Sequence, residues 1–336
     1  MNLNKRIELI TRNLQEIIGK EELEKVLKKK DASVYWGAMT TGSPHISYFL
    51  PLLKIRDFLK TGLKVKILIA DLHGALDGVP WNILEKRQKY YEVLFSLMLK
   101  ALDVDSKKLE FVKGSTFQLK PEYFEDVLKM SMICNIKDCK KAASEVVKMT
   151  ENPKLGNLIY PIMMALDEEY LKVDMQFGGL DQRKIFVFAR ENLPKLSYKP
   201  RIELMNPIIP GLTGKKMSAS IPGSKIDLLD DQETVNKKIR NAECVAGNPD
   251  NGIMQFIKYV IFPIKQDKKQ KLTIERDKKY GGDTSYSDYE QLEKDFVSKK
   301  LHPLDVKNTL AKEINILIDP IRKNKPLHKL YKEGYG

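Results

Sequence analysis

Cysteine is scarce in this chain of 336 residues: three are present, Cys134, Cys139 and Cys244. An odd and small number excludes a disulfide framework, and the Cys134/Cys139 pair has no second cysteine or histidine pair to complete a zinc site. Free thiols in a reducing compartment are expected. Long apolar runs are missing as well. From Met1 to Lys30 apolar and charged residues alternate at helical spacing, which fits neither a secretory signal nor a membrane span, so a cytoplasmic protein with no membrane partner is expected. No internal repeat, low-complexity segment or long linker is visible, so the units of the chain should be closely joined. Two familiar phosphate loops are also absent. The first strand-like run is followed by no GxGxxG, which speaks against a dehydrogenase, and Gly214-Lys215-Lys216 lacks the glycine spacing of GxxxxGK[ST].

What is present is an apolar content of 42% and a formal charge of +13. The first can bury a sizeable core, and the length favours two domains. The second favours a polyanionic partner, because lysine and arginine gain nucleic-acid affinity by releasing counterions from phosphates. The excess is spread, five beyond Asp230 and eight before it, so no detachable basic tail carries it.

Three short apolar runs, Ser33–Ala38, Lys64–Ala70 and Lys108–Gly114, read as strands, and the middle one, KVKILIA, has no wet face. That is the pattern of a parallel sheet covered on both sides. Between them Ile46–Lys60 and Asn82–Leu102 carry helical periodicity. A helical stretch from Pro121 to about Met149 interrupts the βαβαβ order, which resumes with Asn157–Tyr170, the strand-like Val173–Phe177 and the helix-like Asp181–Glu191. The expected fold class is α/β, a Rossmann-like doubly wound parallel sheet with a helical insertion. From Asp231 the pattern becomes helix after helix, at Glu233–Ala242, Gly252–Val260, Ser287–Lys299 and Pro303–Leu317, with a lysine-rich and Gly-Gly loop near Lys268–Asp283. A catalytic domain over 1–228, its insertion at about 121–156, and a mostly α-helical domain over 229–336 follow as the expected organisation.

Two segments carry the chemistry. Thr41-Gly42-Ser43-Pro44-His45-Ile46-Ser47-Tyr48 is a small-residue turn that delivers a histidine to a helix start, where free amides favour phosphate. Far downstream, Gly211-Leu212-Thr213-Gly214-Lys215-Lys216-Met217-Ser218-Ala219-Ser220 is a glycine-flanked loop able to swing a lysine onto a triphosphate. Together they resemble the HIGH and KMSKS signatures of class I aminoacyl-tRNA synthetases, in the PHISY and KMSAS spelling of the eukaryotic and archaeal tyrosyl branch. The resemblance extends over nearly the whole chain: Tyr35-Trp36-Gly37, Ala70-Asp71-Leu72-His73, Leu158-Ile159-Tyr160-Pro161, Asp167-Glu168-Glu169-Tyr170, Phe177-Gly178-Gly179-Leu180-Asp181-Gln182-Arg183-Lys184 and Leu301-His302-Pro303 stand in the family's order.

The resemblance implies an enzyme that joins tyrosine to ATP as tyrosyl-adenylate and transfers the tyrosyl group to the 3' end of its tRNA. The attacking carboxylate is already ionised at neutral pH, so catalysis is positioning plus neutralisation of phosphate charge. By resemblance, the catalytic residues are His45, Lys216 and Gln182. Tyrosine would be held by Tyr35, Asp167, Tyr160, Gln182, Met164 and His73, with Tyr35 and Asp167 on the phenol and Tyr160 and Gln182 on the ammonium. ATP would meet Gly37, Gly42, His45, Tyr48, Gly178, Gly179, Asp181, Lys216, Met217 and Ser218, bringing Mg2+ with it; no protein-only metal site is expected. Gly178 and Gly179 would let backbone approach adenosine, and Asp181 would accept from the ribose hydroxyls.

The chain departs from its family at Met164, where the tyrosyl branch reads Gln, and a thioether cannot replace an amide oxygen before an ammonium group. On the tRNA side, resemblance assigns Tyr280 to stacking on the anticodon and His302 and Asp305 to the start of the helix that reads it, with Arg183, Lys140 and Lys141 toward the acceptor end. The insertion is where this family forms its homodimer. Two other readings compete: the tryptophanyl relative, against which the pair Tyr35 and Asp167 argues, and a catalytically silent tRNA-binding descendant, against which His45, Lys216, Asp181 and Gln182 argue.

Overall fold

The computed structural model describes residues 1–105, 107–147, 150–214 and 223–336. Six strands form one sheet: β1 (Glu16–Ile18), β2 (Ser33–Met39), β3 (Lys64–Ala70), β4 (Leu109–Lys113), β5 (Met175–Gly179) and β6 (Ile202–Asn206), in the order β1-β6-β5-β2-β3-β4. All neighbours are parallel except β1, which runs antiparallel to β6. From β2 the chain steps outward to β3 and β4, then returns to add β5 and β6 on the other side. The order therefore reverses between β2 and β5, and a crevice opens beyond the carboxyl ends of those two strands. This is the doubly wound sheet that the alternation of apolar runs and helical stretches predicts.

The pleat separates two cores. Trp36, Ile67 and Phe177 join the helices Phe49–Lys60 and Leu84–Ala101 on one face, whereas Tyr35 and Leu68 join Tyr160, Phe186 and Tyr123 on the other. Adjacent residues of one strand thus belong to different cores, as a period of two requires. The first core continues without a break into the carboxyl-terminal helices through Phe296, Ile314 and Ile318.

The expected insertion is helical but divided, with helices at Pro121–Ile133 and Ile136–Ala143. The break falls at Asn135, whose side chain accepts from the Asp138 amide at 3.0 Å and caps the second helix. Several elements were not foreseen. β1 is short, and β6 hides behind two polar residues in Ile-Glu-Leu-Met-Asn although all five are buried. The Lys268–Asp283 loop instead belongs to a hairpin of β7 (Leu272–Ile274) and β8 (Thr284–Tyr286), and a last helix spans Lys325–Tyr335. The helix expected over Gly252–Val260 is one turn of α-helix that widens to a π-helical turn at Ile257–Ile261. Pro263 follows within the next helix and has no amide hydrogen to offer the preceding turn.

Candidate active site

A cleft of about 330 Å3 lies at the carboxyl ends of β2 and β5. Four parts of the fold line it. β2 contributes Tyr35 and Gly37, two residues apart and so on one face of the sheet. The helix Leu155–Tyr170 contributes Tyr160, Met164 and Asp167, whose spacing of four and three places them on one helical face. The end of β5 contributes Gly178 and Gly179, the turn after it Asp181 and Gln182, and His73 comes from the short helix after β3.

All six residues assigned to tyrosine therefore line this one cleft: Tyr35, His73, Tyr160, Met164, Asp167 and Gln182. Of the nucleotide set, Gly37, Tyr48, Gly178, Gly179 and Asp181 line it too. Gly42 and His45 do not line it, although their sequence neighbours Thr41, Ser47 and Tyr48 do. The Gly42 carbonyl accepts from the Tyr91 hydroxyl at 2.5 Å, which pins the turn. His45 is buried, pairs its backbone with Asp227, shares a 2.8 Å hydrogen bond between Nδ1 and Ser47 Oγ, and meets Tyr48 edge to face. Lys216, Met217 and Ser218 lie outside the described residues.

Asp167 is fully buried, and one of its oxygens is already occupied. Oδ1 accepts from Gln118 Nε2 and from the Tyr123 hydroxyl, both at 2.8 Å. Oδ2 has no hydrogen-bond partner among the described residues. Burial pushes the carboxyl up to about 7, against the two donors that favour its charged form. His73 Nε2 lies 3.8 Å from Oδ2, yet burial drives the imidazole down to about 4, so it is neutral at pH 7 and the contact is not an ion pair. His73 also packs edge-on against the Tyr160 ring, with centroids 4.7 Å apart. Tyr35 is equally buried, and its hydroxyl oxygen accepts from Gln176 Nε2 at 2.5 Å. Its own proton is thereby left to donate. A free acceptor and a free donor in one apolar cavity form a receptor for a hydroxyl, which both donates and accepts.

The glycines also make room for their own neighbours. A β-carbon on Gly178 would fall 1.9 Å from Gln182 Oε1, and one on Gly179 would fall 2.3 Å from Asp181 Oδ1. Their bareness allows the two polar side chains to fold back over the strand end. A β-carbon on Gly37 would meet no protein atom closer than 3.9 Å, so a side chain there would occupy cleft space instead.

None of the residues assigned to tRNA lines the cleft, although Arg183 follows Gln182 directly. Tyr280 is 65% exposed in the turn between β7 and β8. His302 caps the helix Pro303–Arg322 by accepting from the Leu304 amide at 3.2 Å, and Asp305 is in its first turn. Arg276 ties these places together, donating to the Gly282 carbonyl, to Thr284 Oγ1 and to the Lys300 carbonyl just before His302. Arg183 makes a two-pronged ion pair with Glu16 at 2.7 and 2.9 Å. Lys140 donates to the Glu151 carbonyl, and Lys141 is exposed.

Three residues of the site escaped the sequence reading: Gln118, Tyr123 and Gln176. Gln176 left a signal, since it is the polar residue between Met175 and Phe177 in a buried strand. Gln118 and Tyr123 left none, because they meet Asp167 only through tertiary packing, Gln118 from the short helix Ser115–Gln118 and Tyr123 from the insertion.

Comparison with known proteins agrees with this geometry. The chain is 51% identical to the chicken (Gallus gallus) protein named cytoplasmic tyrosine–tRNA ligase over 98% of its own length, and it spans 63% of that relative. It is 46% identical to the bearer of the same name in Saccharomyces cerevisiae, covering 99% of this chain and 88% of the yeast one. The tyrosyl-tRNA synthetase of Archaeoglobus fulgidus, solved with L-tyrosine, superposes with a TM-score of 0.89 at 38% identity, covering 96% of this chain and 99% of that one. With a match to the model of tRNA synthetases class I (W and Y) over residues 27–319, the chain belongs to that family.

Proposed function

We propose that the chain is a cytoplasmic tyrosine–tRNA ligase: it activates tyrosine with ATP to tyrosyl-adenylate and pyrophosphate, then transfers the tyrosyl group to the 3' end of its tRNA. The carrying observation is the unpartnered Asp167 Oδ2 in the same cavity as a Tyr35 hydroxyl whose oxygen is already occupied by Gln176. A phenol satisfies both; phenylalanine leaves both unsatisfied, and discrimination between these two amino acids by synthetases of this kind is a worked example of the general rule. The names of the relatives and the L-tyrosine held by the archaeal neighbour support the same reading.

In this mechanism an oxygen of the tyrosine carboxylate attacks the α-phosphorus of ATP, a phosphorus–oxygen bond forms, and the bond to the bridging oxygen breaks as pyrophosphate leaves. Tyr160 and Gln182 accept from the substrate ammonium, and Met164 adds nothing to that charge. Asp181 accepts from the ribose. His45, Ser47 and the turn before them lie toward the phosphates, with Lys216, next to Lys215 in the sequence, as the cation that neutralises them. Magnesium enters with ATP, neutralising the phosphates. Residues 1–228 do this chemistry, and 229–336 recognise the anticodon through Tyr280, His302 and Asp305. Arg183 serves the acceptor end by exchanging Glu16 for a phosphate, alongside Lys140 and Lys141.

The insertion supplies a homodimer contact. Phe124, Leu128 and Met132 recur every four residues along Pro121–Ile133 and are 60%, 53% and 90% exposed, an apolar stripe open to solvent. Leu128→Glu is expected to shift the sedimentation coefficient from dimer to monomer. ATP–pyrophosphate exchange assayed with each amino acid separately tests the activity: exchange with tyrosine is expected, and exchange with tryptophan, or with none, overturns the assignment.

A further inference from the structure

Beneath the cleft, the sheet carries a row of polar side chains. The registers of β2, β5 and β6 place Tyr35 beside Gln176 and Gln176 beside Glu203. Partners in register point to the same face, so all three lie on the side of Leu155–Tyr170, where Asp167 is followed by Glu168. Gln176, Glu168 and Glu203 are each at most 1% exposed. Gln176 Oε1, both carboxyl oxygens of Glu168 and both of Glu203 have no hydrogen-bond partner among the described residues. These are five buried acceptors in one neighbourhood.

The nearby cations are committed elsewhere. Arg201 gives Nε to the Val173 carbonyl and Nη2 to Glu169, and Arg190 donates to the Arg201 carbonyl. Acceptors cannot satisfy one another unless protons are added, and two buried carboxylates side by side cannot both remain ionised. Burial raises Glu168 to about 8 despite both arginines, and burial together with the Glu168 charge holds Glu203 well above the ordinary range. The remaining groups around them are Asp167, Glu169 and Tyr35.

We propose that Glu168 and Glu203 form a proton-sharing carboxyl pair whose hydroxyl donates to Gln176 Oε1 and so fixes Tyr35 as a donor toward the cleft; this rests on reading the cleft as a phenol site. The chain of hydrogen bonds has one direction. The carboxyl donates to Gln176 Oε1, Gln176 Nε2 donates to the Tyr35 oxygen, Tyr35 donates to the ligand hydroxyl, and that hydroxyl donates to Asp167 Oδ2. Were the pair fully ionised, the Gln176 amide would turn its NH2 group toward the carboxylates and its oxygen toward Tyr35. Tyr35 would then spend its proton on Gln176 and offer the ligand nothing. Glu168 and Glu203 are positioning residues acting through Gln176 and Tyr35.

The test uses the full chain with Glu203→Gln and Glu203→Leu. An amide can replace the acid as donor to Gln176 Oε1, whereas leucine cannot. In ATP–pyrophosphate exchange, Glu203→Gln should keep the KM for tyrosine within about twofold, while Glu203→Leu should raise it roughly tenfold, the worth of one hydrogen bond, with the KM for ATP unchanged. Infrared difference spectra in D2O, wild type minus Glu203→Gln at neutral pH, should show the carbonyl stretch of a protonated carboxylic acid. Absence of that band overturns the proposal whether or not the leucine variant folds. So does an equal rise of both Michaelis constants in both variants, which marks a merely structural role. A wild-type chain that supports no exchange with tyrosine would instead sink the functional reading, and the infrared band would still decide the carboxyl pair.

Discussion

Replacing Asp167 by asparagine should make the protein more stable and a worse receptor for tyrosine, and the size of each change can be worked out. The side chain is fully buried, and its carboxyl is pushed from 3.8 up to about 7. That displacement corresponds to about 4 kcal/mol of disfavour for the charged form. Its sign follows from proton binding. Below pH ~4 folded and unfolded chains both hold the proton; as pH rises from ~4 to ~7 the unfolded chain has released it and the folded one has not, so stability falls across that window and stays low above it. An amide has no such window. In the Asp167→Asn variant the amide oxygen can still accept from Gln118 and Tyr123, so the support at 2.8 Å is retained. Chemical denaturation should therefore find the variant more stable by about 2–4 kcal/mol at pH 8 and by much less at pH 5. In the same variant the phenol loses a charged acceptor, worth about 1.5–3 kcal/mol, so the KM for tyrosine should rise roughly ten- to hundredfold. Wild-type KM for tyrosine should fall as pH rises through about 7, because Oδ2 accepts best once ionised. A stability difference that does not vary with pH, or an unaltered KM, would refute the reasoning.

Three further changes probe the same cleft. Met164→Gln returns an amide oxygen to the helical face shared with Tyr160 and Asp167 and should lower the KM for tyrosine in steady-state kinetics; an unchanged or raised value rejects the idea that the thioether is a deficit. Tyr35→Phe strands the Gln176 amide and removes the donor to the ligand hydroxyl, so discrimination of tyrosine over phenylalanine should drop by roughly tenfold with the KM for ATP unmoved. Gly178→Ala drives a β-carbon against Gln182 Oε1 and within 2.7 Å of the Phe186 ring, so thermal unfolding should report a loss of about 1–3 kcal/mol and exchange activity should fall with it.

The sheet was legible where burial on both faces leaves a continuous apolar run, as in Lys64–Ala70, which is strand β3 from end to end. It was illegible where polar residues are buried by partners far away in sequence. Glu203 and Asn206 break the pattern of β6, although both are enclosed, because their neighbours across the sheet and on Leu155–Tyr170 hide them. The hairpin at Leu272–Tyr286 was masked for another reason: strands of three residues are too short for an alternation to register. The positions assigned to tyrosine were read through family motifs, and the structure gathers all six around one cleft. Composition and periodicity alone would have left Asp167 an acid on a helix beside Glu168 and Glu169. In the fold it is enclosed and accepts from Gln118 and Tyr123, two neighbours 49 and 44 residues earlier in the chain. The glycine pair shows the converse: it stood out in the sequence, yet its steric role, room for Gln182 and Asp181, needed the folded turn.

The receptor at the floor of the cleft is tested most directly by a crystal structure of this chain with tyrosine. The account predicts the phenolic oxygen within hydrogen-bonding distance, about 2.5–3.0 Å, of both the Tyr35 hydroxyl and Asp167 Oδ2, with the ammonium toward Tyr160 and Gln182. Tyrosine bound with its ring reversed, or seated anywhere that leaves Asp167 Oδ2 without a partner, would contradict it.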